Sequence, residues 1–92
     1  PVPVVTISFA SNYLSFLPSK LFRPFTSSLM NLNLQRNHFR SLSRNYFLRR
    51  LEQLRTLDLS ENLLNRITMQ DFTGLRRLET LILRKNHLTS LS

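Results

Sequence analysis

A nine-residue pattern occurs four times along the chain, and this repetition constrains the fold more than any other feature. Its third copy reads LRTLDLSEN, with apolar residues at the first, fourth and sixth positions and asparagine at the ninth. The copies occupy Val4–Asn12, Leu29–Asn37, Leu54–Asn62 and Leu78–Asn86, so their starts are 25, 25 and 24 residues apart. This spacing is typical of proteins that stack similar units along one axis.

The similarity between copies continues beyond the asparagine. An apolar residue follows two positions later and another five positions later. A phenylalanine then recurs ten positions after the asparagine in each of the first three copies, as Phe22, Phe47 and Phe72. We expect these phenylalanines to be structural residues that fill the core of each unit.

The complete unit, LxxLxLxxNxLxxLxxxxFxxL, resembles the leucine-rich repeat family, and especially the longer repeats of Toll-like receptors, small proteoglycans and neuronal adhesion receptors. The resemblance covers essentially the whole chain, with repeats at about residues 4–28, 29–53 and 54–77 and a partial repeat at 78–92. It implies a solenoid whose concave face is made of short parallel β-strands. It also implies that one asparagine per repeat stacks along the turn after each strand: Asn12, Asn37, Asn62 and Asn86.

The residues themselves favour strands at these positions. Thr56–Ser60 alternates polar and apolar residues, the pattern of a strand with one buried face. Similar repeats stack in register, so the strands are predicted to be parallel neighbours about 4.8 Å apart. Equivalent positions of successive repeats then form columns across the sheet.

The return segments between strands are predicted to be mostly irregular, with at most one short helix. That helix is predicted in Arg44–Leu54, where Phe47, Leu51 and Leu54 recur at helical spacing. Prolines and a glycine in the other return segments argue against long helices there.

The number of repeats bears on domain organisation. A single repeat cannot bury its own apolar side, and about three are needed for stability. The chain contains neither a polar capping repeat nor a cysteine-rich cap, so we predict that residues 1–92 are an uncapped excerpt of a longer array. By resemblance we expect a cell-surface or extracellular ectodomain, although the segment has no signal peptide, cysteine or glycosylation acceptor of its own.

Residues for catalysis or metal binding do not converge in the predicted columns. His38 and His87 share a repeat position but lie two repeats apart, roughly 10 Å, too far to share an ion. No histidine shares the strand face of Asp58, which excludes a Ser-His-Asp relay, and Gly74 is the only glycine, which excludes a glycine-rich loop. We therefore expect no enzymatic activity and no cofactor or metal.

Polar residues between the leucines are predicted to form a binding face on the concave side. One column alternates in charge as Arg36, Glu61 and Lys85, and Arg55 is predicted to lie beside Glu79. Any single residue is also consistent with a solvated ion pair that contributes ~0–1 kcal/mol. The predicted concave binding face comprises Arg36, Arg55, Asp58, Glu61, Glu79, Ile82, Arg84 and Lys85.

Charge is unevenly distributed along the chain, whose formal net charge is +8. Residues 1–51 contain seven basic residues and no acidic residue. A patch of one sign attracts anionic partners, so Arg40, Arg44, Arg49 and Arg50 form a predicted anion patch for glycosaminoglycan or nucleic acid. A merely solubilising surface, with its counter-charge in other repeats, explains the excess equally well.

Three functions remain in competition. The leading one is a non-catalytic protein–protein interaction module in the ligand-binding ectodomain of a leucine-rich repeat receptor or adhesion protein. The alternatives are an anion-binding segment, and substrate-recruiting repeats of a protein whose enzymatic domain lies elsewhere. No membrane contact is expected, because no run approaches the ~18 apolar residues that a membrane helix needs.

Overall fold

Six short strands are present in the computed structural model of the chain, which describes residues 5–17, 19–43 and 45–91. The strands are β1 (Val5–Ser8), β2 (Leu29–Asn33), β3 (Thr56–Asp58), β4 (Arg66–Ile67), β5 (Thr80–Ile82) and β6 (Ser90–Leu91). β1, β2, β3 and β5 form one parallel sheet in that order, and β4 pairs in parallel with β6. In the four-stranded sheet, each repeat therefore adds one strand beside the strand of the preceding repeat.

The register of the four-stranded sheet matches equivalent repeat positions. Asn33 lies between Ser8 and Asp58, and Asp58 lies between Asn33 and Ile82. Neighbouring strands are thus displaced by one whole repeat, and the columns and parallel strands predicted from the sequence are present.

The leucines of the pattern form one continuous core beneath the sheet. In the third repeat they are fully buried, because another repeat lies on each side: Leu54, Leu57, Leu59 and Leu64. Their fourth-repeat equivalents pack against the same core but are only partly buried: Leu78, Leu81, Leu83 and Leu88. Burial of each leucine therefore depends on the neighbouring repeat as well as on its own.

The recurring phenylalanines lie on the return side of this core. Phe22 is fully buried, whereas Phe47 and Phe72 are partly buried and pack against the core. The rings of Phe22 and Phe47 stack with centroids 6.2 Å apart, and Phe9 meets Phe22 edge-on at 5.5 Å. Aromatic contacts of this kind join the first two repeats.

Helical turns occur in all three complete return segments, so the prediction of a helix in Arg44–Leu54 alone is wrong. One α-helix, α1 (Ser19–Phe22), lies in the first return segment, and 3-10 helices span Arg23–Phe25, Tyr46–Arg50 and Met69–Phe72. Within the predicted helix, the Leu48 N–H donates to the Asn45 carbonyl at 3.0 Å, three residues earlier. A 3-10 turn rises about 2.0 Å per residue against 1.5 Å for an α-helix, and so covers the return distance with fewer residues.

Gly74 marks a close approach between two return segments. Its φ of +98° is unfavourable for residues with a side chain, and a Cβ atom there would clash with the carbonyl oxygen of Arg49. The only glycine in the chain is thus required by both backbone conformation and space.

Across the part of the chain that the structure describes, no helix combines the length and the apolar character needed to cross a bilayer.

Candidate functional site

The framework of the candidate site is a ladder of asparagine side chains beside the sheet. Asn62 is 3% exposed, and its Nδ2 donates to the carbonyls of Leu34 and Leu59, each at 3.0 Å. Its Oδ1 accepts the N–H of Phe39 at 3.1 Å. One amide thus joins the turn of the second repeat to that of the third.

The same contacts recur in the neighbouring repeats. Asn37 Oδ1 accepts the Leu14 N–H at 3.1 Å, and Asn86 Oδ1 accepts the Leu64 N–H at 3.0 Å. Asn12 differs, because it is exposed and, among the described residues, its Nδ2 donates only to carbonyls of its own repeat, those of Phe9 at 2.9 Å and Ala10 at 3.3 Å. The ladder therefore begins in the first repeat and becomes an inter-repeat connection from the second onwards.

The residue before each ladder asparagine has a left-handed backbone conformation. These residues are Ser11, Arg36, Glu61 and Lys85, with φ between 54° and 61°. Non-glycine residues rarely adopt this conformation, and here the hydrogen bonds of the asparagine in the following position hold the turn. The charged column predicted on the strand face therefore lies in the turn beyond the strands, at the rim of that face.

Within this rim, Arg36 and Glu61 form an ion pair with Nε 3.3 Å from Oε2. Their side chains are 57% and 36% exposed, so screening by water limits the contribution of the pair to at most ~1 kcal/mol. Among the described residues Glu61 pairs in this way with Arg36 and not with Lys85, so the predicted alternating column contains one ion pair.

On the strand face itself, Asp58 stabilises a tight turn. Its Oδ1 accepts the Ser60 N–H at 2.9 Å and the Ser60 hydroxyl at 2.7 Å. Asn33 accepts the Gln35 N–H in the same way at 3.0 Å. Asp58 thus has a structural role that the sequence analysis missed, although Ser, Asn and Asp at one repeat position are the residues that form such turns. Ile82 occupies this position in the fourth repeat.

Arg55 and Glu79 are exposed neighbours at the start of adjacent strands. The Glu79 N–H donates to the Arg55 carbonyl at 2.8 Å. The two residues therefore lie side by side, as predicted from the sequence, although their charged groups do not approach within ion-pair distance among the described residues. Arg84 and Lys85 are also exposed, just beyond β5. The face and its rim therefore present guanidinium, ammonium and carboxylate groups beside the half-buried Ile82.

The predicted anion patch is divided between two parts of one repeat. Arg40 lies in the segment after the Asn37 turn, whereas Arg49 and Arg50 end the 3-10 helix of the return segment. Arg44 lies outside the described residues.

Besides Ser60, two buried polar residues in the described part of the chain were not predicted from the sequence. Asn45 Oδ1 accepts the Leu17 N–H at 2.7 Å, and Asp71 Oδ2 accepts the Thr68 N–H at 2.9 Å at the start of a 3-10 helix. The spacing of Thr68 and Asp71 is that of a helix capping box and could have indicated the second. Asn45 occupies a position that the other repeats do not share, so periodicity gave no signal for it.

Chemically, the site offers hydrogen-bond donors, acceptors and charges on a rigid sheet. Within the described ranges, no three His, Asp or Glu side chains gather closely enough to hold a metal ion.

A family model described as leucine rich repeat matches residues 27–88. No match was found among curated proteins or among solved structures.

Proposed function

The chain belongs to the leucine-rich repeat family, and we propose that it serves as a non-catalytic protein–protein interaction module. In this proposal the repeats form part of a solenoid in the ligand-binding ectodomain of a receptor or adhesion protein. The face made by β1, β2, β3 and β5 is its concave side and contacts the protein ligand.

The observation that carries the proposal is the alignment of outward-facing side chains in columns. The sheet sets the spacing of Asn33, Asp58 and Ile82 at that of adjacent strands, about 4.8 Å. The leucine core and the asparagine ladder fix the backbone beneath them. A surface held in place before binding loses little conformational entropy when a partner docks, which favours specific recognition.

The chemistry of this face suits a protein partner. Charges of both signs alternate around it, as in the Arg36–Glu61 pair and the neighbouring Arg55 and Glu79. A mixed pattern is complementary to another protein surface with its own mixed charges, and it disfavours wrong partners by placing like charges together. The exposed Arg55, just before β3, and Arg84, just after β5, are suitable anchors. Arginine is enriched among the residues that dominate interface energies.

The proposal is tested by presenting the chain in multivalent form to a panel of purified receptor ectodomains, with cytosolic proteins as a second panel. For any ectodomain bound, the double substitution Arg55→Glu/Arg84→Glu should weaken the Kd by about tenfold or more. Arg23→Glu/Arg50→Glu, which changes the net charge equally in the return segments, should weaken it less than about twofold.

Equal effects of the two variants would show that the strand face does not bind the ligand. Partners found only in the cytosolic panel would refute the ectodomain assignment.

A further inference from the structure

Two adjoining grooves open on the segments that follow the ladder asparagines. Serine and arginine residues contribute to the lining of both, and their volumes are about 480 and 210 Å³. They share Ser41 and Ser43 and so adjoin each other across three repeats, and together we call them the Arg–Ser groove. It is lined by Ser15, Phe16 and Arg40 at one end and by Arg66, Thr68 and Asp71 at the other.

The groove has a positive character. Arg40 and Arg66 are exposed and lie on adjacent repeats. Their backbones are close together, since the Arg40 carbonyl accepts the N–H of Asn65, the residue before Arg66, at 3.5 Å. Asp71 is the acidic residue among the described lining residues, but it is 7% exposed and its carboxylate accepts the Thr68 N–H. Two guanidinium groups therefore face solvent, while the carboxylate is directed into the protein framework.

The hydroxyl groups between these arginines are positioned by local hydrogen bonds. Ser41 Oγ lies 2.8 Å from Ser43 Oγ and accepts the Ser43 N–H at 3.2 Å. The Ser41 carbonyl accepts Nδ2 of the buried Asn45 at 3.3 Å. Both serines remain exposed, so their hydroxyls are available to a ligand lying in the groove.

We propose that the Arg–Ser groove binds a sulfated polysaccharide that runs across the repeats. The planar guanidinium groups of Arg40 and Arg66 can each donate two hydrogen bonds to one sulfate group. Ser41 and Ser43 can bond sulfate or sugar hydroxyl oxygens between them. Phe16 is 54% exposed at one end and presents an apolar surface to a sugar ring.

The lining favours a polysaccharide over single-stranded nucleic acid. Proteins that bind single strands stack successive bases on a series of aromatic rings, whereas Phe16 is the single aromatic residue among the described lining residues. The site also differs from the anion patch predicted from the sequence, because Arg66 replaces Arg49 and Arg50 as the partner of Arg40. It is separate from the strand face, so either proposal can fail without the other.

The test measures binding of a heparin octasaccharide to the 92-residue chain by titration calorimetry. Arg40→Glu/Arg66→Glu should weaken binding by about a hundredfold, because each substitution removes a charge-assisted bond to sulfate and should weaken binding roughly tenfold. Arg76→Glu/Arg77→Glu changes the net charge equally on exposed residues outside the groove and should weaken binding less than about threefold. Circular dichroism of both variants checks that they fold.

If the charge reversal unfolds the chain, neutral substitutions at the same positions test the proposal instead. Arg40→Gln/Arg66→Gln should reduce the slope of log affinity against log salt concentration by about two, and Arg76→Gln/Arg77→Gln should not change it. Equal weakening in groove and control variants would overturn the proposal, as would undiminished binding of a desulfated octasaccharide. A single-stranded oligonucleotide that binds more tightly through the same two arginines would assign the groove to nucleic acid instead.

Discussion

Asn62 shows how one side chain can connect two repeats. A turn that leaves a strand has backbone groups without ladder partners, and burying such groups unpaired costs free energy. The amide supplies donors and an acceptor without placing a charge in the interior. The sequence indicated this role through the recurrence of asparagine, and the structure adds that the bonds of Asn37, Asn62 and Asn86 reach into the preceding repeat.

Replacing Asn62 with leucine should lower the free energy of unfolding by ~1–3 kcal/mol. The Phe39 N–H would then have no acceptor and would remain buried, whereas the Leu34 carbonyl keeps a second donor, Nδ2 of Asn37. The same change at the exposed Asn12 should cost no more than ~0.5 kcal/mol. Urea denaturation followed by circular dichroism measures both values.

Similar destabilisation at Asn62 and Asn12 would contradict an inter-repeat role for the ladder. If only the Asn62 variant is destabilised, the loss comes from the bonds between Asn62 and the second repeat and not from the bonds within its own turn alone.

The left-handed residues before the asparagines could not be predicted from their own identities. Arg36, Glu61 and Lys85 are not residues that favour positive φ. Their conformation is determined by the asparagine that follows and by bonds to the adjacent repeat. Sequence reasoning therefore placed them on the strands, when they belong to the turn.

At the scale of elements, the strands of the four-stranded sheet were predictable, whereas the β4–β6 pair and the helix type were not. The alternation with period two in Thr56–Ser60 predicts a β-strand in a single register, because one face of the strand must be buried. The spacing of Phe47, Leu51 and Leu54 fits an α-helix, but the 3-10 helix spans only Tyr46–Arg50, and Leu51 and Leu54 are buried beyond its end. Whether an α-helix or a 3-10 helix forms depends on the distance that the return segment must span. This distance is set by the folded repeat.

The strands give a prediction about neighbour-dependent burial. Leu57→Ala should destabilise the chain by ~2–5 kcal/mol, because Leu57 is fully buried between β2 and β5. Leu81→Ala, at the equivalent position of β5, should cost less than ~2 kcal/mol, because its side chain is only partly buried. Thermal or chemical unfolding of the two variants measures the difference.

Equal costs would mean that a further layer of protein covers Leu81 in solution. The difference between the two variants therefore also shows whether further protein packs beside β5 in solution.

At the scale of the whole molecule, stacking decides which charges meet. Arg49 and Arg50 are adjacent in sequence and suggested a patch with Arg40, yet Arg40 lines a groove with Arg66, 26 residues later. The repeat length brings these two together, and only an alignment of positions after the asparagine could have indicated it. One-dimensional charge density is thus a poor guide to surface charge in a stacked protein.

Stacking also predicts a gradient of local stability along the sheet. The N–H groups of Leu34 and Leu59 donate to the carbonyls of Asp58 and Ile82 in the next repeat, each at 2.8 Å. The equivalent N–H of Leu83 meets no such acceptor among the described residues. Because stability in stacked repeats is a sum of unit and neighbour terms, the Leu83 amide should exchange at least about tenfold faster than that of Leu59.

Hydrogen exchange followed by NMR resolves these three amides in one experiment. Protection of Leu83 equal to that of Leu59 at low protein concentration would contradict the gradient, because it would require unfolding of the sheet as one unit. Protection that appears only as concentration rises would instead show that a second copy supplies acceptors along β5. In that case the open edge of the sheet is itself a site of association, because unpaired strand edges readily accept another strand.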